Sequence, residues 1–153
     1  MKIRVANIED AVTIANLISD LAEKFIINEF SAQGKANFLK ANNAVAIRNF
    51  INGDFHYYLA VKKTQVVGVI AVRGNSHLYH LFVQETYQGQ GIARKLWQYV
   101  QSECLAKADF NRFTVNSSLN AVAVYQAFGF KKSGVSQESQ GVLYQPMCLD
   151  VNG

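Results

Sequence analysis

YQGQGIARKLW, residues Tyr87–Trp97, opens a helix without the residues that normally open one. A surface helix usually starts with Ser, Thr, Asp or Asn as a cap and carries acids in its first turn, because its first N–H groups are unpaired and partly positive. Here Gly89 and Gly91 expose bare backbone, the first charges are Arg94 and Lys95, and no acid follows until Glu103. The missing negative charge is expected to come from a ligand.

The flanking sequence sets this segment in an alternation of strands and helices. Downstream, Ala93, Leu96, Trp97, Val100 and Cys104 form the apolar stripe of an amphipathic helix running from about Gly89 to Leu105. Upstream, HLYHLFV (His77–Val83) reads as a strand, preceded by the turn Gly74–Ser76. HYYLAVKKTQVVGVIAV reads as two strands joined near Lys63-Thr64-Gln65. KIRVA (Lys2–Ala6) is a first strand, and Asn7 can cap the helix whose apolar positions are Ile14, Leu17, Ile18, Leu21 and Phe25. A second helix is expected over Asn37–Phe50, broken by Asn52-Gly53. Beyond the central helix come a strand at Arg112–Asn116, a helix at Leu119–Phe128 ended by Gly129, and strands in FKKSGVS and VLYQPMCLDV. Pro146 suggests that the last strand has an edge or a bulge there. The expected order is β-α-α-β-β-β-α-β-α-β-β, a mixed α/β (α+β) fold in a single domain over residues 1–153.

Composition narrows the function classes. With 50% hydrophobic and 17% charged residues in 153, the chain can bury a real core and has the profile of a globular domain. No apolar run approaches the ~20 residues of a membrane span, and MKIRVANIED lacks the apolar centre of a signal peptide, so a cytoplasmic protein is expected. Cys104 and Cys148 lie far apart and form no metal-ligand spacing, so two plain thiols and no metal are expected. A net charge of +4 suits a small anionic ligand and, without a basic run or zinc pattern, does not indicate nucleic acid.

Three phosphate-binding devices use a glycine-rich turn at a helix start. The dinucleotide fingerprint needs a third glycine where Arg94 stands, and the strands before the turn form a meander. The P-loop needs a Gly-Lys-Ser/Thr ending that is absent. What remains is Gln88-x-x-Gly91-x-Ala93. This resembles the pyrophosphate-binding motif Q/R-x-x-G-x-G/A of the GCN5-related N-acetyltransferase (GNAT) family. LFV before it resembles that family's central strand. NAVAVYQAFGF (Asn120–Phe130) resembles the family's second signature, a helix with a Tyr that ends in Gly-Phe. The order of elements matches along essentially the whole chain.

The resemblance implies acetyl-CoA as cofactor, bound where two parallel central strands splay apart, here those ending at Val83 and Asn116. Backbone groups of Phe82 and Val83 would hold the pantetheine arm. N–H groups of Gln88, Gly89, Gln90, Gly91, Ile92 and Ala93 would hold the pyrophosphate, and Asn116 and Asn120 would reach the pantetheine or the nucleotide. Arg94 or Lys95 could add phosphate charge, or simply face solvent. The implied reaction is attack of a neutral amine on the thioester carbonyl. A phenol near pKa ~10 stays protonated at neutral pH and suits the leaving thiolate. Tyr125 matches the family's Tyr in that role; its spacing with Ala121 and Phe128 equally fits a core aromatic.

The resemblance places a base on the strand ending at Val83, or replaces it with a water chain. Counting back in twos from Val83 puts Leu81, Tyr79 and His77 on one face, His77 at the family's Glu/His position and His80 on the other. His77 is the candidate base, with a surface role beside the turn as its alternative. The acceptor wall implied by the family includes Phe25, Phe30, Phe38, Tyr57, Tyr58 and Tyr144, with Glu23, Glu29 and Asp54 as acids that could meet a cationic amine. A small-molecule amine or a peptide amine is the expected partner. No nucleic acid or membrane is expected, and a homodimer is compatible with the family. A non-catalytic CoA-binding module on the same fold is the alternative function, and the intact Tyr125 argues against it.

Overall fold

Two apolar stretches on either side of Lys63-Thr64 pair into the central hairpin, β2 (Phe55–Lys62) and β3 (Gln65–Arg73), whose middles are buried on both faces. Around it the computed structural model, which describes residues 1–151, builds an eight-stranded sheet. The other strands are β1 (Lys2–Val5), β4 (His77–Val83), β5 (Arg112–Ser117), β6 (Lys131–Lys132), β7 (Gln137–Ser139) and β8 (Val142–Asp150). Their order is β1-β2-β3-β4-β5-β8-β6, with β7 also on β8. The pair β4–β5 is parallel and the remaining pairs are antiparallel.

Helices cover both faces, as a sheet buried on both sides requires. On one face α4 (Ile92–Lys107) and α5 (Val122–Ala127) enclose Trp97, Leu96, Phe113, Tyr125 and Phe130. On the other, α1 (Ala11–Phe25) and α3 (Ala44–Asn52) cover Leu59, Val69 and Ala71, and α2 (Ala32–Ala41) lies beyond them. Gly68 lets α4 sit tightly on β3: a Cβ there would lie 3.1 Å from Leu96 Cδ1 and 3.3 Å from Ile92 Cγ2.

Several sequence expectations change. The single helix over Asn37–Phe50 is two, α2 and α3, parted at Asn42-Asn43. Asn43 caps α3 by accepting from the Ala46 N–H, while Asn42 turns inward to His80 Nε2 at 2.7 Å. The central helix starts at Ile92 rather than Gly89, because Gly89 (φ +78°) and Gly91 (φ +81°) are left-handed and cannot belong to it. The helix expected from Leu119 opens with a 3-10 turn, Leu119–Ala121, before α5. FKKSGVS supplies only the two residues of β6, and the polar β7 adds a strand that no apolar alternation announces. Pro146 sits where β6 has ended and β7 has not begun. There the buried Gln145 amide fills the break, donating to Gly134 O (2.8 Å) and Pro146 O (2.9 Å).

The β7–β8 turn docks onto the start of α2. Ser31 N–H donates to Gly141 O (3.3 Å), and Asn37 Nδ2 donates to Gln140 O (2.9 Å). A Cβ on Gly34 would overlap the Gly141 carbonyl, a main-chain clash no rotamer relieves. Gly34→Ala should therefore part α2 from the hairpin, costing about 1–3 kcal/mol in urea unfolding. It should also speed amide exchange in residues 137–144. A variant with wild-type exchange there would show that the contact does not hold the hairpin.

Candidate active site

The site is built on a failure of pairing in the middle of the sheet. β4 and β5 are registered only at His77↔Thr114 and Leu78↔Val115, although β4 runs on to Val83 and β5 to Ser117. The divergence begins at a bulge: Ala71 faces His80 and Val72 faces Leu78, so Tyr79 is an extra residue. A bulge bends its strand and raises its twist, and β4 leaves β5 at that point.

The bulge also overturns the count in twos. Leu78, Leu81 and Val83 pack toward α4, whereas Tyr79 packs edge-on against Phe50 and Phe55, and His80 meets Tyr57 on the α1–α3 side. His77, one residue from Leu78, therefore shares the face of His80 and not that of Val83.

Main-chain groups line both walls of the gap. Gln84 N–H donates to Val67 O (2.8 Å), which makes that facing pair a hydrogen-bonded one. By the antiparallel alternation Phe82 and His80 also turn their N–H and C=O to β3, and Leu81 and Val83 turn theirs to β5. Phe82 O lies 3.4 Å from a Cβ placed on Gly68 of β3, in agreement. The expectation for Phe82, which the resemblance implies, is thus corrected: Leu81, which the count in twos groups with Val83, is the residue that opens into the gap. Opposite, Pro146 O accepts from Ser133 N–H on the far side of β8, so its partner Asn116 points its own main-chain groups away from β8 and into the gap. The Asn116 and Asn120 side chains are exposed.

At the mouth lies the glycine turn. The amides of Gly89, Gln90, Gly91, Ile92, Ala93 and Arg94 donate to no acceptor among the described residues; the first bonded one is Lys95 N–H, to Gly91 O at 3.1 Å. No side chain caps this end and no acid stands in its first turn. A Cβ on Gly89 or Gly91 would meet nothing within 4 Å, so these glycines serve the positive φ and leave open space before the N–H groups. Together these features form an anion cradle. Gln88 is not part of it: its N–H donates to Glu85 O (3.2 Å) and its Nε2 to Val83 O (2.9 Å), clasping the loop. Arg94 is engaged elsewhere, with Nη2 on Ala127 O (3.3 Å) and its guanidinium 5.4 Å from the Phe128 ring centre.

Tyr125 belongs to the α4-side core, edge-on to Phe128 and Phe130. Its hydroxyl has no hydrogen-bond partner among the described residues, and no fully buried polar side-chain atom there lacks one, so the oxygen reaches open space. Burial pushes the phenol well above its usual value, keeping it protonated. His77 Nδ1 lies 2.8 Å from Thr114 Oγ1, at the closed end of the gap. Burial, with help from Arg73, lowers its pKa to about 4. His80 is a second neutral imidazole, lowered to about 3 by burial. Its Nε2–H donates to Asn42 Oδ1 (2.7 Å), and its Nδ1 accepts from Tyr57 O–H (2.9 Å).

On the α1–α3 side Phe30 and Phe38 pack together beside Phe82. Tyr58 is not in this wall: it faces α4 and packs on Tyr99. Glu23 pairs with Lys35 (3.5 Å), while Glu29 accepts from Leu119 N–H (3.3 Å) and so ties the α1–α2 connection to the end of β5.

A family model described as an acetyltransferase (GNAT) domain matches residues 26–151. The chain belongs to the GNAT acetyltransferase family, whose members use acetyl-CoA. It is similar to N-acetyltransferase family 8 member 2 of Rattus norvegicus, at 29% identity over 65% of this chain and 49% of that protein. It is also similar to human N-acetyltransferase 8, at 29% identity over 52% and 40%. The chain thus matches about half or less of the length of these curated relatives. Its fold is that of a GCN5-related N-acetyltransferase from Rhodopseudomonas palustris, with a TM-score of 0.85, 18% identity and coverage of 98% and 95%. It is shared with the PaiA N-acetyltransferase of Thermoplasma acidophilum solved with coenzyme A, with a TM-score of 0.80, 17% identity and coverage of 98% and 99%. No helix among the described residues is long and apolar enough to cross a membrane.

The two neutral histidines set the acid stability. Each binds a proton near pH 6.5 when unfolded and only near pH 4 or 3 when folded, so the unfolded state holds more protons in between. Stability should be full above about pH 6.5 and fall toward pH 4 by about 1.4 kcal/mol per pH unit for each histidine. Urea unfolding across this range should show that slope, and His80→Gln should reduce it by about half.

Proposed function

We propose that this chain is an acetyl-CoA-dependent N-acetyltransferase that moves the acetyl group to a primary amine by direct attack. The observation that carries the reading is the run of unpaired amides from Gly89 to Arg94 at the mouth of a gap lined by unpaired main chain. The amides suit the pyrophosphate of CoA, and the open groups of Leu81 and Asn116, with the Val83 N–H, suit the amide-bearing pantetheine arm. The cofactor supplies the activated acetyl carbonyl.

The chain's own groups then have separate roles. A main-chain N–H on the β5-facing side of β4 donates to the developing oxyanion; Leu81 provides one. Tyr125 donates its proton to the departing sulfur. Its phenol is buried, protonated and without an internal partner, which is what a poised donor requires. His77 is less suited to hold the amine's proton than its position in the sequence suggests. A conjugate acid near 4 makes it a weak base, and it stands at the closed end of the gap. The proton therefore leaves through water. The acceptor enters from the side of Phe30, Phe38 and Glu29, where the α1–α2 connection meets the end of β5. The free thiols of Cys104 and Cys148 support a reducing, cytoplasmic setting.

The first test is thiol release from acetyl-CoA by purified protein across polyamines, aminoglycosides, amino acids and N-terminal peptides. Stimulation by one class names the acceptor. Failure of every class, in protein that binds acetyl-CoA, would favour a non-catalytic CoA-binding module. With an acceptor in hand, Tyr125→Phe should lower kcat by about 10²–10⁴ and leave CoA affinity unchanged. An unchanged kcat removes Tyr125 as the acid. In the wild type, log(kcat/KM) should climb with pH as the amine deprotonates, with no falling limb through pH ~10, since burial raises the phenol.

A further inference from the structure

Charge complementarity at the amide cradle is unfinished. A CoA carries its negative charge on phosphates, and main-chain N–H groups supply only partial charges in return. Arg94 and Lys95, adjacent in sequence to the cradle, are placed for other duties. Arg94 is bound to the end of α5, and Lys95 lies on the outer side of α4 with Met1, Ile3, Gln98 and Tyr99. Lys24 is paired with Glu85 at 3.4 Å.

Another cation stands at the cradle, reached from the far end of the hairpin. Lys62, the last residue of β2, donates from Nζ to Gln90 Oε1 at 3.1 Å. Gln90 is itself one of the residues whose N–H is free. The ammonium also lies 5.2 Å from the centre of the Tyr87 ring. That ring is held in turn: Tyr87 O–H donates to Gln65 Oε1 (3.4 Å), and Gln65 Nε2 donates to Gln84 Oε1 (3.1 Å). The hairpin and the loop before α4 are therefore laced together by neutral groups that fix the position of a positive charge. Among the described residues no carboxylate lies within ion-pair distance of Lys62, so its charge is not neutralised by the chain. An ammonium held by an aromatic face and an amide oxygen beside free N–H groups is placed to meet an anion that those groups bind.

We propose that Lys62 binds the pyrophosphate of CoA, supplying the full positive charge that the Gly89–Arg94 amides lack. The proposal rests on the reading of the β4–β5 gap as the CoA site. It gives Gln90 two roles, since its side chain aims Lys62 while its N–H faces the same phosphate.

Isothermal titration of the unmodified protein, Lys62→Gln and Lys62→Arg with CoA, dephospho-CoA and pantetheine tests it without any turnover. Lys62→Gln should weaken CoA and dephospho-CoA alike, by about 10- to 50-fold, as expected for loss of one charge-assisted contact. Pantetheine, which has no phosphate, should bind both proteins equally. Lys62→Arg should keep most of the affinity, and the Lys62→Gln protein should show a shallower dependence of CoA affinity on salt. Equal CoA affinity in Lys62→Gln and the unmodified protein would overturn the proposal. A loss confined to CoA, with dephospho-CoA unaffected, would also overturn it by moving the contact to the 3′-phosphate. A different failure, no CoA binding by the unmodified protein at all, would overturn the cofactor reading itself and Lys62 with it.

Discussion

Main-chain N–H and C=O groups in the interior of a protein have to be paired, and this sheet leaves its own unpaired at its centre. After Leu78 the parallel strands β4 and β5 stop sharing hydrogen bonds, and both continue. The cause is local: Tyr79 is one residue too many for β3, so β4 bends away. Everything else about the site follows from that opening. The groups of Leu81 and the N–H of Val83 on one wall, and the groups of Asn116 on the other, behave as two strand edges facing each other across a slot. Under the proposed function, such a slot suits an extended ligand with amides of its own better than a compact one. At the end of β4 the chain turns through the glycines, so the slot leads straight to the free N–H groups that open α4.

The two ends of the slot differ in electrostatic character, and the sequence arranges this with few charges. At the mouth, positive potential comes from backbone dipoles and one immobilised ammonium, with acids absent from the first turn of α4. Deeper in, the titratable groups are held neutral. His77 and His80 are driven below their usual range by burial, and Tyr125 is driven above its own. The same low-dielectric surroundings that penalise a charged imidazole keep a phenol from ionising.

Much of this was legible from residue order, and the parts that were not share a physical reason. The stripe Ala93–Leu96–Trp97–Val100–Cys104 predicts α4, and the missing acids before Glu103 predict an anion at its start, because both are periodic or local signals. Gly129 likewise stops α5, at φ +102°. The bulge at Tyr79 is invisible to a count in twos, since it depends on how β4 registers against β3. That single residue puts His77 on the face opposite to Val83, while Leu81 lines the gap beside Val83 as a plain count in twos already has it. Asn42 reads as an ordinary helix position, yet it breaks the helix because its amide is needed by a histidine far along the chain. β7 is made of Gln137, Glu138 and Ser139, which carry no strand signal, and exists because β8 offers it an edge. Lys62 could not be found from the motif, because its approach to Gln90 is made by the hairpin and not by sequence proximity.

Burial also bears on the hardest step of the proposed reaction, the loss of a proton from the amine. A primary amine near pKa ~10.4 is neutral in only about one molecule in a few thousand at pH 7. A dedicated base would remove that proton directly, but an imidazole with a conjugate acid near 4 does not hold one at neutral pH. Desolvation offers another route. An amine brought beside the slot would meet low-dielectric surroundings of the kind that lower His77 and His80, and its ammonium would be pushed down in the same direction. The gain is largest for an amine that loses its water on entering, and smallest for one that keeps a carboxylate beside it. Glu29, whose carboxylate is partly occupied by the Leu119 N–H, stands at the proposed entrance, beyond the end of β5. It can therefore attract a cation without holding the ammonium charged at the point of attack.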